Sequence, residues 1–284
     1  MITALLNGLA FGMLMLVLSS GLALIFGLRN VVNFAHGALY MVGAYIGFAI
    51  GSVTNFWVAL VVTPIILGAV GVLLDRFGLR YLAKREVLDL VLLTFGLTFV
   101  LTGLVQSVWG TQPKSVNAPP GLDGSIPLPE GSYPTYRLFL IVVGVLLGVA
   151  LILWLRMSKT GLYVRASTMD RTVATVVGVD VDRVSATVVG LGFAFAGAAG
   201  VLAGPYLSLS PNMGVEILVL TFIVVVVGGL GSLGGAMVAA VVLGLIVNLS
   251  AVFVPWFAAY APYALMVVVL LFRPRGFAGT RTLV

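Results

Sequence analysis

The chain has 284 residues, 61% of them hydrophobic and 8% charged, with a net charge of +6 and a mean hydropathy of +1.20. Soluble domains carry about 25% charged residues, so this composition excludes a water-soluble globule and points to an all-α, polytopic membrane helical bundle. The absence of cysteine excludes disulfides and thiolate metal sites, and the basic excess fits the placement of Lys and Arg around membrane spans better than nucleic-acid binding.

The first apolar run, about 4–28, reads as a retained span. No basic residue precedes Arg29, and the run exceeds the roughly 7–15 residues of a signal-peptide core. Further runs near the 17–25 residues that cross a bilayer fall at about 34–53, 56–74, 88–109, 137–155, 184–206, 215–229, 233–254 and 257–272. The seventh and ninth are short, so eight or nine spans are expected, within one transmembrane domain covering 1–284. Gly8/Gly12, Gly43/Gly47/Gly51 and Gly192/Ala196/Gly200/Gly204 recur at four-residue spacing, which lets helices pack closely in lipid.

Asn33-Phe34-Ala35-His36-Gly37 opens the second span. Asn33 suits a helix start. His36 is the only histidine, so a multi-histidine metal site is excluded. It is either a ring hydrogen-bonded within the bundle or, as the family signature described below suggests, a gating or partner-contact element. Thr94, Thr98 and Thr102 recur every four residues on the fourth span. They either line a translocation path or bond back to their own helix. The loop 111–136 holds six prolines and is too polar and broken to enter lipid. It serves either as a solvated connector or as a landing surface for a soluble binding protein.

Charge counting sets the orientation. With 75–89 inside, alternation puts Arg29, 156–183 and the tail after 273 inside as well, and the N-terminus outside. Thirteen of the fifteen basic residues then share the inner side, and only Lys114 and Arg137 oppose them, as the positive-inside rule requires. This arrangement puts the start of the second span at the inner face and Glu216 near the outer end of the seventh. Apart from Glu216, no acid falls clearly within a span. Asn248 lies within the eighth.

The stretch Arg156–Arg183 is the longest charged interruption, with five basic and three acidic residues. Ser167-Thr168-Met169-Asp170 fits a capping box, with Ser167 as N-cap and Asp170 three residues on. Gly178 stands where a helix would stop. The expected helix, about Thr168–Val177, would be roughly 15 Å long and marginal alone in water. Met169, Val173 and Val176 or Val177 give it an apolar stripe, and Arg165, Asp170 and Arg171 cluster at its start. Such a stripe suits a groove on a partner or the lipid surface.

Three segments carry a resemblance to a known family. GLYVRASTMDRTVATVVGVDVDRV with the following GLGFAFAGAAGVLAG, GLALIFGLRNVVNFAHGALYMVGAY at 21–45, and VVVVGGLGSLGGAMVAA at 224–240 with FRPRGF at 272–277 resemble permease subunits of branched-chain amino acid ABC importers. In that family the 156–183 loop carries the coupling helix that enters a groove on the ATP-binding subunit. The resemblance implies as partners a second, similar permease, two ATP-binding subunits and an extracytoplasmic binding protein, in a bacterial or archaeal cell membrane. Coupling would rest on Arg165, Ser167, Met169, Asp170, Arg171, Val173, Val177 and Gly178. Asn33, His36, Thr94, Thr98, Glu216 and Asn248 are candidates for the path. The family often has an ionisable residue before the Phe that opens the Gly-rich span; here Leu220 and Thr221 precede Phe222.

Gly229-Leu230-Gly231-Ser232-Leu233-Gly234 matches a dinucleotide-binding fingerprint literally. The fingerprint needs an acid about 20 residues later, and none follows Glu216, so no cofactor is expected. No Walker A motif occurs, so ATP hydrolysis would take place on another polypeptide. Urea, short amides and other amino acids are alternative cargoes. An ion-coupled secondary transporter would need intramembrane carboxylates.

Overall fold

A computed structural model of the chain describes residues 1–82, 86–129 and 131–278, with Leu82 by its backbone alone. Lys84, Arg85 and Arg281, three of the basic residues expected on the inner side, lie outside the described residues. The order is α1 (Ile2–Arg29), α2 (Ala35–Val53), α3 (Phe56–Leu74), a π-helical turn (Asp75–Leu79), α4 (Arg80–Leu82) and α5 (Val87–Trp109). A hairpin of β1 (Ser125–Leu128) and β2 (Gly131–Pro134) precedes α6 (Thr135–Met157), α7 (Lys159–Met169) and α8 (Arg171–Val176). Next come α9 (Val181–Ala203), α10 (Met213–Gly228), α11 (Leu233–Phe253), a 3-10 turn (Pro255–Phe257) and α12 (Ala261–Phe272).

All nine expected runs are helical. Seven helices among the described residues are long and apolar enough to cross a membrane. The other two, α10 and α12, reach only about 24 and 18 Å, short of a hydrocarbon core of about 30 Å. The last starts at Ala261 rather than near 257. Pro255 opens a 3-10 turn, and Pro262 sits in the first turn of α12, a position where its missing N–H costs nothing.

The core is built around α1. Its residues Gly12–Ile25 are buried on every side, as expected of a helix that is apolar all round. It packs against α6, α9, α10 and α11, while α9 also packs against α2 and α3. The small-residue rows do the joining. A Cβ on Gly200 would stand 2.2 Å from the Tyr40 carbonyl oxygen, so α2 and α9 touch backbone to backbone.

The 21–37 region departs from the expected arrangement. The His36 ring nitrogen Nε2 lies 2.9 Å from the Leu18 carbonyl oxygen. Leu18 is eleven residues before Arg29, or about 16 Å along the helix. So α2 begins near mid-depth of the bundle, not at the face where α1 ends. Asn30 (φ 54°) turns the chain out of α1, and residues 31–34 climb back inside before α2 starts. Helix α10 mirrors this. Its second residue, Gly214, packs on Gly37, while Gly231, just past its end, packs on Gly27. It therefore runs only from mid-depth to the Arg29 end. Glu216, in its first turn, is thus placed near mid-depth and not at the far boundary. Glu216 stands at the expected end of the seventh run; the depth of that end differs, because alternation counts every helix as a full crossing.

The Gly-rich segment 229–232 is the tight turn between α10 and α11, with Gly229 at φ 103° and Gly231 at φ 83°. FRPRGF closes it from outside. The Phe277 and Ala278 N–H groups donate to the Val227 and Gly228 carbonyls at 2.8 and 3.1 Å, satisfying orphan acceptors at the end of α10. At the opposite end, Lys114 and Leu209 exchange two backbone hydrogen bonds. There Arg137 donates to Asn7 Oδ1 and lies over the Tyr206 ring at 5.5 Å. Tyr133 of the hairpin is shut off from solvent.

Candidate functional site

The charged stretch folds as two short helices. Ser158 caps α7 by accepting from the Gly161 N–H at 2.8 Å. Gly161 lies against Leu155 so closely that a Cβ would stand 2.3 Å from its carbonyl oxygen. This folds α7 back on the end of α6, and Arg165 donates to the same carbonyl. Ser167 is buried in the last turns of α7, so it is not the N-cap expected from its spacing. Asp170 takes that role, accepting from the N–H groups of Thr172 and Val173 at 2.8 and 2.9 Å. One helix over Thr168–Val177 is therefore replaced by a break at Asp170, because the helix begun at Ser158 has already consumed Ser167.

The stop holds as expected. Gly178 has φ 87°, its N–H donates to Thr175 O, and the Val179 N–H returns to Ala174 O. Ala174 is buried, whereas Met169 (90% exposed), Val173 (57%), Val176 (83%) and Val177 (71%) stand out. An apolar surface thus projects from the most charged part of the chain. Arg171 reaches Asp182, in the first turn of α9, at 3.6 Å, and Asp182 also pairs with Arg80 at 3.5 Å.

Beneath this surface lies a buried charge cluster. Asp75 is fully buried and pairs with Arg29. Ser185 donates to Asp75 Oδ1 at 3.0 Å and accepts from Arg29 at 2.7 Å, while Arg29 also donates to Leu79 O at 3.2 Å. Asp75, the first residue of the 75–89 interruption, is thus not in solvent. Helix α3 passes without a stop into the π turn and carries Asp75 inside the bundle. Such π turns recur at functional positions.

The path candidates do not form one group. Asn33 Oδ1 accepts from the Ala35 N–H at 3.1 Å and, with Thr94, borders a space of about 20 Å³ beside Arg29. Thr94 bonds to Val91 O at 3.1 Å. Thr98 bonds to its own helix at Thr94 O (3.0 Å) and across to Phe34 O (3.2 Å), tying α5 to the start of α2. Thr102 is half-buried. His36 is buried against α1, and Glu216 is exposed in the first turn of α10. Asn248 donates to Gly244 O at 3.1 Å, in the half of the bundle away from Arg29. No group of three or more potential metal ligands occurs among the described residues.

The family described as "Branched-chain amino acid transport system / permease component" matches residues 4–272. The chain belongs to this family. Among its relatives is the high-affinity branched-chain amino acid transport system permease protein LivH of Salmonella typhimurium, 28% identical over 96% of this chain and 94% of that protein. BraD of Pseudomonas aeruginosa, with a corresponding description, is 28% identical over 97% and 94%. The probable permease LivH of Methanocaldococcus jannaschii is 28% identical over 96% and 91%. The fold is similar to that of a chain in the structure of PsaBC from Streptococcus pneumoniae in complex with Fab. The TM-score is 0.51 at 11% identity, covering 95% of this chain and 91% of that one.

In this permease the charge cluster is not legible in the sequence, because its members lie far apart, Arg29 from Asp75 and Asp75 from Ser185. One signal was present: no Gly, Pro or Asn separates the apolar run of α3 from Asp75, so the helix had no reason to stop there.

Proposed function

We propose that the chain is the membrane permease subunit of an ATP-driven importer of branched-chain or related apolar amino acids. Family membership and the names of three relatives support the cargo. The observation that carries the drive is the projecting apolar surface of Met169, Val173, Val176 and Val177 on a charged segment, in a chain that has no Walker A motif of its own. On this reading the Arg29 end and α7–α8 face the cytoplasm, the N-terminus lies outside, and the chain acts as one membrane unit. A separate ATP-binding subunit grips α8. Asp170 and Gly178 fix the two ends of α8, Arg171 steers it, and Arg165 and Ser167 anchor α7 beneath it. Assembly takes two such ATPases, a second similar permease and an extracytoplasmic binding protein that meets the β1–β2 end. Closure of the ATPases pulls on α8 and rocks the bundle between outward and inward access. The path runs from Asn33, Thr94 and Thr98 near the entry to α2, past His36 and Glu216 at the starts of α2 and α10, to Asn248 nearer the outside.

Affinity purification of the tagged chain in mild detergent tests this reading. An ATPase subunit is expected to co-purify, and Met169→Asp with Val173→Asp is expected to abolish its recovery. A well-folded sample that brings down no ATPase would sink the proposal.

A further inference from the structure

We infer that Asp75 is the positioning residue through which motion of α8 reaches the start of α2; the inference rests on the coupling role proposed above. Two sets of polar contacts, joined by one turn of α9 and by the backbone of residues 29–33, link the two places. Arg171 of α8 pairs with Asp182 at 3.6 Å. One helical turn along α9, Ser185 donates to Asp75 at 3.0 Å. Asp75 pairs with Arg29, and Arg29 is followed by the Asn30 turn and the climb to Asn33, which holds the first N–H of α2. Arg80, just past the π turn, meets these contacts again at Asp182.

The two ends of this link differ in character. Asp182 is half-exposed, so its pairs are screened and exchange easily with water. Asp75 and Arg29 are buried, and parting them inside the bundle would strand a charge without solvent, which is strongly unfavourable. The buried end therefore moves as a block: the end of α1, the π turn after α3 and the first turns of α9 shift together. The exposed end allows α8 to tilt. A pull on α8 reaches α9 through the packing of α7 and α8 on it, and the buried block carries it on to the α1–α2 connection. Asp75 Oδ2 and Arg29 Nε have no hydrogen-bond partner, and a space of about 20 Å³ lies between Arg29 and Asn33, the size of one water. The block thus keeps one donor and one acceptor free of partners.

The test uses the complete transporter in proteoliposomes, reading amino acid moved per ATP hydrolysed. Arg29→Met with Asp75→Leu replaces the pair by apolar side chains of similar bulk, which proteins often tolerate. The expected result is retained ATPase binding and hydrolysis with at least a tenfold fall in substrate per ATP. Ser185→Ala, which buries no charge, is expected to lower the ratio about threefold, and Ser185→Thr to restore it. A complex with the double substitution that keeps the wild-type ratio overturns the inference. So does an unchanged ratio in Ser185→Ala, should the double variant fail to assemble. Absence of ATPase from the wild-type complex would instead strike the coupling reading itself.

Discussion

Gly244 lies so close to Gly12 that a Cβ placed on Gly244 would stand 2.4 Å from the Gly12 amide nitrogen and as near the Gly8 carbonyl oxygen. Helices α1 and α11 therefore meet through backbone, where dispersion contacts and not the hydrophobic effect hold membrane helices together. Gly244→Val is expected to pry them apart at a cost of about 1–3 kcal/mol, typical of overpacking. Gly234→Val, at a position with open space around it, should escape this cost. Thermal unfolding of the two variants in the same detergent checks the contrast.

Asp170 holds two otherwise unpaired N–H groups at the start of α8. Its replacement by Ala removes a cap worth about 1 kcal/mol, and a Ser or Asn in its place should retain most of it. Amide hydrogen exchange at 172–176 is expected to accelerate about fivefold in Asp170→Ala, the factor that about 1 kcal/mol implies, with little change elsewhere. Equal exchange in Asp170→Ala and wild type would show that the cap does not hold α8.

Glu216 stands exposed in the first turn of α10, near mid-depth, where an ionisable group is a functional hypothesis by default. Glu216→Gln keeps the shape and removes the charge. Uptake is expected to fall at least tenfold with the amount of co-purified ATPase unchanged. Uptake at the wild-type rate would remove Glu216 from the path.

Tyr133 belongs to the hairpin, outside the spans. Burial pushes its phenol up to about 12; Arg137 pulls the other way, and Tyr206 adds to the rise. The folded state thus favours the neutral phenol. Its contribution to stability is complete below the usual tyrosine value of about 10 and is lost as pH rises through about 12. Ultraviolet titration of wild type minus Tyr133→Phe should show a midpoint near 12. A difference curve centred near 10 would contradict the burial.

The spans were legible because a run of apolar residues long enough to cross lipid has few other uses. Helix α5 was expected over 88–109 and is observed over Val87–Trp109. Their depth was not legible. Hydropathy reports length and polarity, whereas the mid-depth starts of α2 and α10 are set by contacts such as Gly37 with Gly214, between residues far apart in the chain. The same holds for Asp75, whose partners are distant in sequence. Around α8 the difficulty was local competition. Ser167 and Asp170 are equally good N-caps, and only the helix started by Ser158 decides between them. The exposed apolar residues and the Gly178 stop, by contrast, follow from the local pattern.

Helix α1 is enclosed by elements synthesised long after it. Ser19, Ser20 and Gly21 are buried, and Gly21 rests against Gly192 of α9, far downstream in the chain. During biosynthesis α1 must therefore wait in the bilayer with this face turned to lipid or to provisional neighbours. Contacts of such long sequence separation slow folding and leave intermediates open to mispairing. The first helix of the chain is among the last to be completed, and lesions in α9 or α11 will be felt as instability of α1.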